Sequence, residues 1–231
     1  MKIFAAETSS GVASAAICGG DKLLCEITLN NKLTHSQTLM PIIEEVFERS
    51  GLTTKDIDLF AVSEGPGSFT GLRIGITTVK ALAHAENKQI VGVNTLEAMC
   101  YNLPFCPYII SPIMDARRGE VYNGFYRFKN GVLEKVCPPR ALPLADCLNE
   151  LSKMSENVVF LGDAVPVYRD VIAEKLGNLA HFAPQNLNMQ RASSVCEAAK
   201  NKNPQKYYEL VPKYLRKSQA EREYEERGDR K

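Results

Sequence analysis

The sequence predicts an α/β protein in which one unit is used twice, each copy a mixed-sheet lobe flanked by helices. Three observations predict it. The order strand, strand, strand, helix, strand, helix occurs in the first half of the chain and again in the second. An acidic residue closes the first strand of each copy, Glu7 and Asp115, and a glycine follows four positions later, Gly11 and Gly119. An apolar content of 45% and a charged content of 24% over 231 residues leave ample material for buried cores.

In the first copy, Lys2–Ala6, Val12–Cys18 and Lys22–Leu29 read as strands, the last two joined by Gly19-Gly20-Asp21, a hairpin link. A helix over Ser36–Ser50 is stopped by Gly51. Its Leu39, Ile42, Ile43, Val46 and Phe47 recur at the spacing of a packed face, while Met40 falls off it. Pro41 is expected to kink or loosen the first turn. A strand at Leu59–Ser63, a glycine-rich turn, a helix at Gly71–Ala85 and a strand at Ile90–Val93 complete the copy.

In the second copy, strands fall at Tyr108–Met114, Glu120–Phe128 and Val132–Cys137, followed by a helix at Leu144–Met154. A strand at Val158–Leu161, a helix at Val165–Leu176, an apolar run at Leu179–Phe182 and a helix at Ala192–Lys200 follow. The expected units are 1–104 and 105–204, with 205–220 packing back on the first and 221–231 a charged tail. Arg216 to Lys231 carries six basic and five acidic residues in sixteen positions, the composition of a solvated end.

Charge and motifs exclude several classes. A net charge of +1 gives no footprint for holding a nucleic acid unaided. No run approaches the roughly 18 apolar residues of a membrane span, and Glu7 comes too early for a signal-peptide core, so a cytoplasmic protein is expected. The seven cysteines form no C-x-x-C pair and read as core residues. His35, His84 and His181 make no metal-binding pair, and no serine sits in a G-x-S-x-G elbow.

The chemistry gathers at the glycine segment from Phe60 to Ile76, which runs from a strand through a tight turn into a helix. Gly65, Gly67, Ser68, Thr70 and Gly71 can cradle a phosphate at the helix start or seat the helix against a neighbour. The spacing G-x-G-x-x-x-G matches neither nucleotide signature, which favours the seat. A duplicated unit with an acidic residue after each first strand is the plan of the actin-like, ribonuclease H-like (ASKHA) ATPases, whose two hairpins hold the phosphates of ATP. Read so, Glu7, Thr8, Ser9 and Ser10 form one side of a nucleotide cleft and Asp115, Arg117 and Arg118 the other. Arginine bulk where a phosphate cradle wants small residues makes this a degenerate site. A stand-alone actin-like kinase or ATPase using Glu7 and Asp115 is the alternative function.

These residues resemble a family. Ile3 to Ser10, Ser63 to Gly75, Ile113 to Tyr122 and Val211 to Arg216 are similar, in order, to the TsaB (YeaZ) family over nearly the whole chain. The resemblance implies a non-catalytic accessory subunit in forming N6-threonylcarbamoyladenosine at position 37 of tRNAs reading codons beginning with A. It implies binding to the catalytic paralogue TsaD, alongside the ATPase TsaE, with tRNA met only through the complex and a homodimer when the chain is alone. It implies no metal or cofactor held by this chain itself, with ATP or ADP placed at the junction of the complex. Two helices of each subunit meet at the TsaD contact. Transferred to this chain, they give Met40, Ile43, Phe47, Ile76, Val79 and Ala83 as interface candidates. Glu7 and Gln37 depart from the family's pattern, Glu7 toward the catalytic paralogue. A peptidase, the third reading, has no nucleophile–base pair to support it.

Overall fold

The computed structural model describes residues 1–31 and 33–216. The tail expected at 221–231, and the last residues of the segment expected to pack back, lie outside the described residues.

The first sheet is built from β1 (Lys2–Glu7), β2 (Ala13–Gly19), β3 (Lys22–Leu29), β4 (Leu59–Gly65) and β5 (Gln89–Asn94), with helices α1 (His35–Ser50), α2 (Phe69–Ala85) and α3 (Thr95–Cys100) between or after them. Its order is β3-β2-β1-β4-β5. The pairs β1–β2 and β2–β3 are antiparallel, and β1–β4 and β4–β5 parallel. The second sheet uses β6 (Ile109–Arg117), β7 (Glu120–Lys129), β8 (Val132–Pro143), β9 (Val158–Leu161) and β10 (Ala180–Phe182), with α4 (Leu144–Met154) and α5 (Val165–Leu176). Its order, β10-β9-β6-β7-β8, repeats the first with the same strand directions. Two copies of this five-stranded sheet with flanking helices are the duplicated actin-like, ribonuclease H-like fold. Two further helices, α6 (Gln185–Asn188) and α7 (Ala192–Ala199), close the chain's second half.

Each sheet is covered on both faces. Central strands such as β4 are buried along their whole length, which is why they read as unbroken apolar runs. α1 and α2 lie side by side on one face of the first sheet, burying Leu39, Ile42, Val46, Leu72 and Val79 against Phe4, Phe60 and Val62. α7 covers the other face, placing Ala192, Val195, Cys196 and Ala199 against Ile3, Ala5, Ala61 and Val93. The sequence assigns this helix to the second unit; it packs on the first sheet because its small residues fit the alanine-rich face of β1, β2 and β4. α3, which the sequence reading missed, is the wedge between the lobes. Its Ala98 faces the first sheet, while Leu96, Met99 and Cys100 face the second. Asn94 caps it, accepting from the N–H groups of Leu96 at 3.0 Å and Glu97 at 3.2 Å.

Other boundaries move for local reasons. α2 begins at Phe69 because Ser68 caps it. β8 runs six residues past Cys137 through Pro138 and Pro139, tolerated because β8 is an edge strand with no outer ladder to supply. α1 continues through Pro41 without a break. All seven cysteines are free thiols, four of them buried. Among the described residues no helix is long and apolar enough to cross a membrane.

The segment after α7 straps the lobes together. Gln205 pairs with Ile90 through two backbone hydrogen bonds of 3.0 and 2.9 Å, and Leu210 is buried in the α1–α2 core. The Lys213 N–H donates to the Glu64 carbonyl at 2.7 Å, and Tyr214 stacks on Phe69 with ring centroids 4.1 Å apart. Arg216 then crosses to the second lobe, where it donates to the Ala116 carbonyl and pairs with Glu120 at 2.8 Å.

Candidate functional site

The carboxyl ends of β1, β4 and β6 converge on a cleft of about 420 Å³ between the lobes. Ser9, Ser10, Gly67 and Ser68 line one side; Asp115, Arg117, Asp163 and Arg216 line the other. Not every residue predicted for this site reaches it. The Glu7 side chain is buried and turned beneath the loop, where Oε1 accepts the Ser9 N–H at 2.5 Å and Oε2 accepts the Ser63 hydroxyl. Burial raises its pKa above the ordinary 4.5, with the Ser63 and Ser9 hydrogen bonds opposing. Thr8 is also turned inward, its hydroxyl donating to the Gly71 carbonyl at 2.8 Å. Ser10 donates to Gln190 Oε1 at 3.0 Å, tying β1 to the second half of the chain.

The glycine loop is a seat. The Ser68 N–H donates to the Ser9 carbonyl at 2.7 Å. A Cβ on Gly67 would stand 2.3 Å from that same carbonyl oxygen, one on Gly71 2.1 Å from the Thr8 carbonyl oxygen, and one on Gly75 2.2 Å from Thr8 Oγ1. Three glycines on one stripe of the loop and α2 therefore let the helix lie directly on the β1 turn. The other flank is also filled, since a Cβ on Gly65 would meet the Lys213 carbonyl at 2.3 Å. Thr70 points outward, exposed.

The second hairpin turns through Arg118 and Gly119, with φ of +58° and +79° as a tight hairpin turn requires, and Arg117 before them is also left-handed at +68°. Arg117 and Arg118 are exposed and leave the cleft interior to another arginine. Arg117 Nη1 stands 3.4 Å from Asp115 Oδ2. The bulk expected of these two residues comes from Arg216, which enters from the strap. Mg²⁺-ATP fits this arrangement poorly: the β1 carboxylate is turned away, the Ser68 N–H at the start of α2 is taken by the Ser9 carbonyl, and Arg216 holds the facing hairpin.

Asp163 is a cleft residue that the sequence reading missed. It follows Gly162 at the end of β9, as Glu64 and Gly65 close β4 in the first copy, and that correspondence was the available signal. Burial pushes its pKa from 3.8 up to about 6. A raised carboxyl pKa stabilises the fold at low pH, and that contribution is lost as pH climbs from about 4 through 6. Asp163→Asn removes the loss. Chemical denaturation of the variant is expected to gain on wild type by up to about 3 kcal/mol between pH 4 and pH 7. A difference independent of pH would contradict the assignment.

The helix candidates divide sharply. Ile43, Ile76, Val79 and Ala83 are 0–3% exposed and belong to the core between α1, α2 and the sheet. Phe47 is half-buried and stacks on Phe4, centroids 5.3 Å apart. Met40, 44% exposed, is the one candidate that stands fully on the surface. Periodicity marks a helix's apolar stripe, and on both helices that stripe faces the home sheet. The residues left exposed are Ser36, Gln37, Met40, Pro41, Glu44, Glu48 and Arg49 on α1 and Thr70, Arg73, Thr77, Ala81, His84 and Ala85 on α2; Thr77, Ala81 and Ala85 form a small, uncharged row one helical turn apart.

A family model described as TsaD, tRNA N6-adenosine threonylcarbamoyltransferase, matches residues 22–224. The chain is 35% identical over 221 residues to the tRNA threonylcarbamoyladenosine biosynthesis protein TsaB of Bacillus subtilis, covering 96% of each. It is 40% identical over 81 residues to the tRNA N6-adenosine threonylcarbamoyltransferase of Sphingopyxis alaskensis, 35% of this chain and 22% of that one. A solved Pseudomonas aeruginosa structure, described as similar to the peptidase YeaZ, superposes with a TM-score of 0.79 at 22% identity, covering 93% of this chain and 99% of that one. That likeness bears on the fold.

Proposed function

Since the chain belongs to the TsaB family of tRNA threonylcarbamoyladenosine biosynthesis proteins, related to the TsaD transferases, we propose that it is a non-catalytic subunit that binds and activates TsaD. The reaction served is formation of N6-threonylcarbamoyladenosine at position 37 of tRNAs reading codons beginning with A, with TsaE as the ATPase of the system. The observation that carries this reading is the outer face of α2. Thr77, Ala81 and Ala85 are exposed yet small and uncharged, and they lie in the same helical layer as the exposed Met40 of α1. Arg73 and His84 are exposed along one edge of this row, and the small, uncharged stretch beside them suits close helix–helix contact. The buried Glu7 and the crowded cleft support a subunit that leaves chemistry to its partner. The same face would join two copies of this chain when TsaD is absent. The reading is tested by threonylcarbamoyl transfer to tRNA, reconstituted with and without this chain.

A further inference from the structure

Alongside that outer face the molecule carries a second surface of different character. The strap runs antiparallel to α2, so that Tyr214 meets Arg73, Leu210 meets Lys80 and Tyr207 meets His84. Arg73 Nε donates to the Tyr214 hydroxyl at 2.9 Å, Lys80 Nζ donates to the Leu210 carbonyl at 2.9 Å, and the His84 and Tyr207 rings lie 4.6 Å apart. A groove of about 450 Å³ separates helix and strap. Arg73 and Tyr214 are exposed along it, and Lys206 and Tyr208, 58% exposed, stand beyond it on the strap.

Arg73 and Lys80 donate to uncharged oxygens, and among the described residues no ion pair includes Arg73, Lys80 or Lys206. Among the carboxylates, Glu64 pairs with Lys213, while Glu209 accepts the Lys206 N–H and Glu86 the Thr54 hydroxyl, so the last two keep their charge. From Arg73 to His84 the stripe is about 16 Å long at the helical rise. Cations at helical spacing, interleaved with exposed tyrosine rings, suit the phosphates and unstacked bases of an RNA strand. An acidic protein segment would use the cations but has no need of the rings.

We propose that the α2–strap stripe of Arg73, Lys80, Lys206, Tyr208 and Tyr214 is a direct contact for the tRNA substrate within the complex. This rests on the reading above only in taking the substrate as tRNA. The overall charge of +1 does not oppose it, because the stripe is a local field that adds to a partner's own hold.

The test uses the complex with TsaD and an unmodified tRNA transcript carrying A37, titrated by fluorescence anisotropy at several salt concentrations. The triple variant Arg73→Gln, Lys80→Gln, Lys206→Gln is expected to raise Kd about 10- to 100-fold and to lower the salt slope by about 2. Tyr208→Ala, which removes an exposed ring that touches Tyr207 edge-on and lies under Lys206 but changes no charge, is expected to raise Kd about 5- to 10-fold with the slope unchanged. Size-exclusion chromatography of the same samples reports complex formation separately. An intact complex with unchanged Kd and slope in both variants overturns the proposal, as does a triple variant that folds but no longer joins TsaD, which would make the stripe a protein contact. Wild type that never joins TsaD would instead count against the proposed function.

Discussion

Ala81→Arg is expected to abolish assembly with TsaD while leaving the fold unchanged. Ala81 is exposed, one helical turn from Thr77 and Ala85 on the small-residue face of α2, so the new side chain meets nothing in the isolated chain. In a close helix–helix contact it would be both too large and an unpaired charge, costing about 3 kcal/mol or more, which is over 100-fold in Kd. Size-exclusion chromatography with TsaD, paired with a circular dichroism melt of the variant, checks the result. Co-elution at wild-type concentration would move the contact off α2. Phe47→Glu, a probe suggested by the family resemblance, would mislead. Phe47 stacks on Phe4 against the core, and a glutamate there would destabilise the chain itself.

Gly71→Ala is expected to lower stability by about 3 kcal/mol and Tm by about 6–12 °C. Two effects compete. Alanine within a helix normally gains about 1 kcal/mol over glycine. Here its Cβ would stand 2.1 Å from the Thr8 carbonyl oxygen, a backbone atom that no rotamer change can remove. The clash wins, because α2 must lift from the β1 turn or the turn must lift from β4. Gly11→Ala is the control: its Cβ would meet nothing within 4 Å, and it should change stability by less than about 0.5 kcal/mol. Equal melting of both variants and wild type would mean that α2 is not seated on β1 as described.

Much of the architecture was legible because one unit is written twice in the chain. Glu7 and Asp115 mark equivalent strand ends, and alternating apolar runs gave the first three strands of each sheet. The misses have physical causes. α3 is a short helix whose cap, Asn94 followed by Glu97, was its one local signal. The docking of α7 on the first sheet depends on shape fit between distant segments, which periodicity does not report. The site was legible as a place and illegible as an arrangement. Sequence spacing brought Ser9, Ser10, Asp115 and Arg117 to the cleft, and it could not say that Glu7 turns toward Ser63 or that Arg216 arrives from the far end of the chain. The same limit explains the interface candidates. Val79 and Ala83 carry the apolar pattern because the sheet needs them, whereas Ala81, between them in sequence, faces outward because it is small and nothing inside requires it.

The central claim is activation of TsaD by this chain, and transfer itself is its most direct measure. TsaD, TsaE, ATP, the threonylcarbamoyl-adenylate donor and unmodified tRNA are incubated with no addition, with wild-type chain, or with Ala81→Arg, and the modified adenosine is counted. The account predicts transfer only with the wild-type chain. Equal transfer in all three reactions would contradict it.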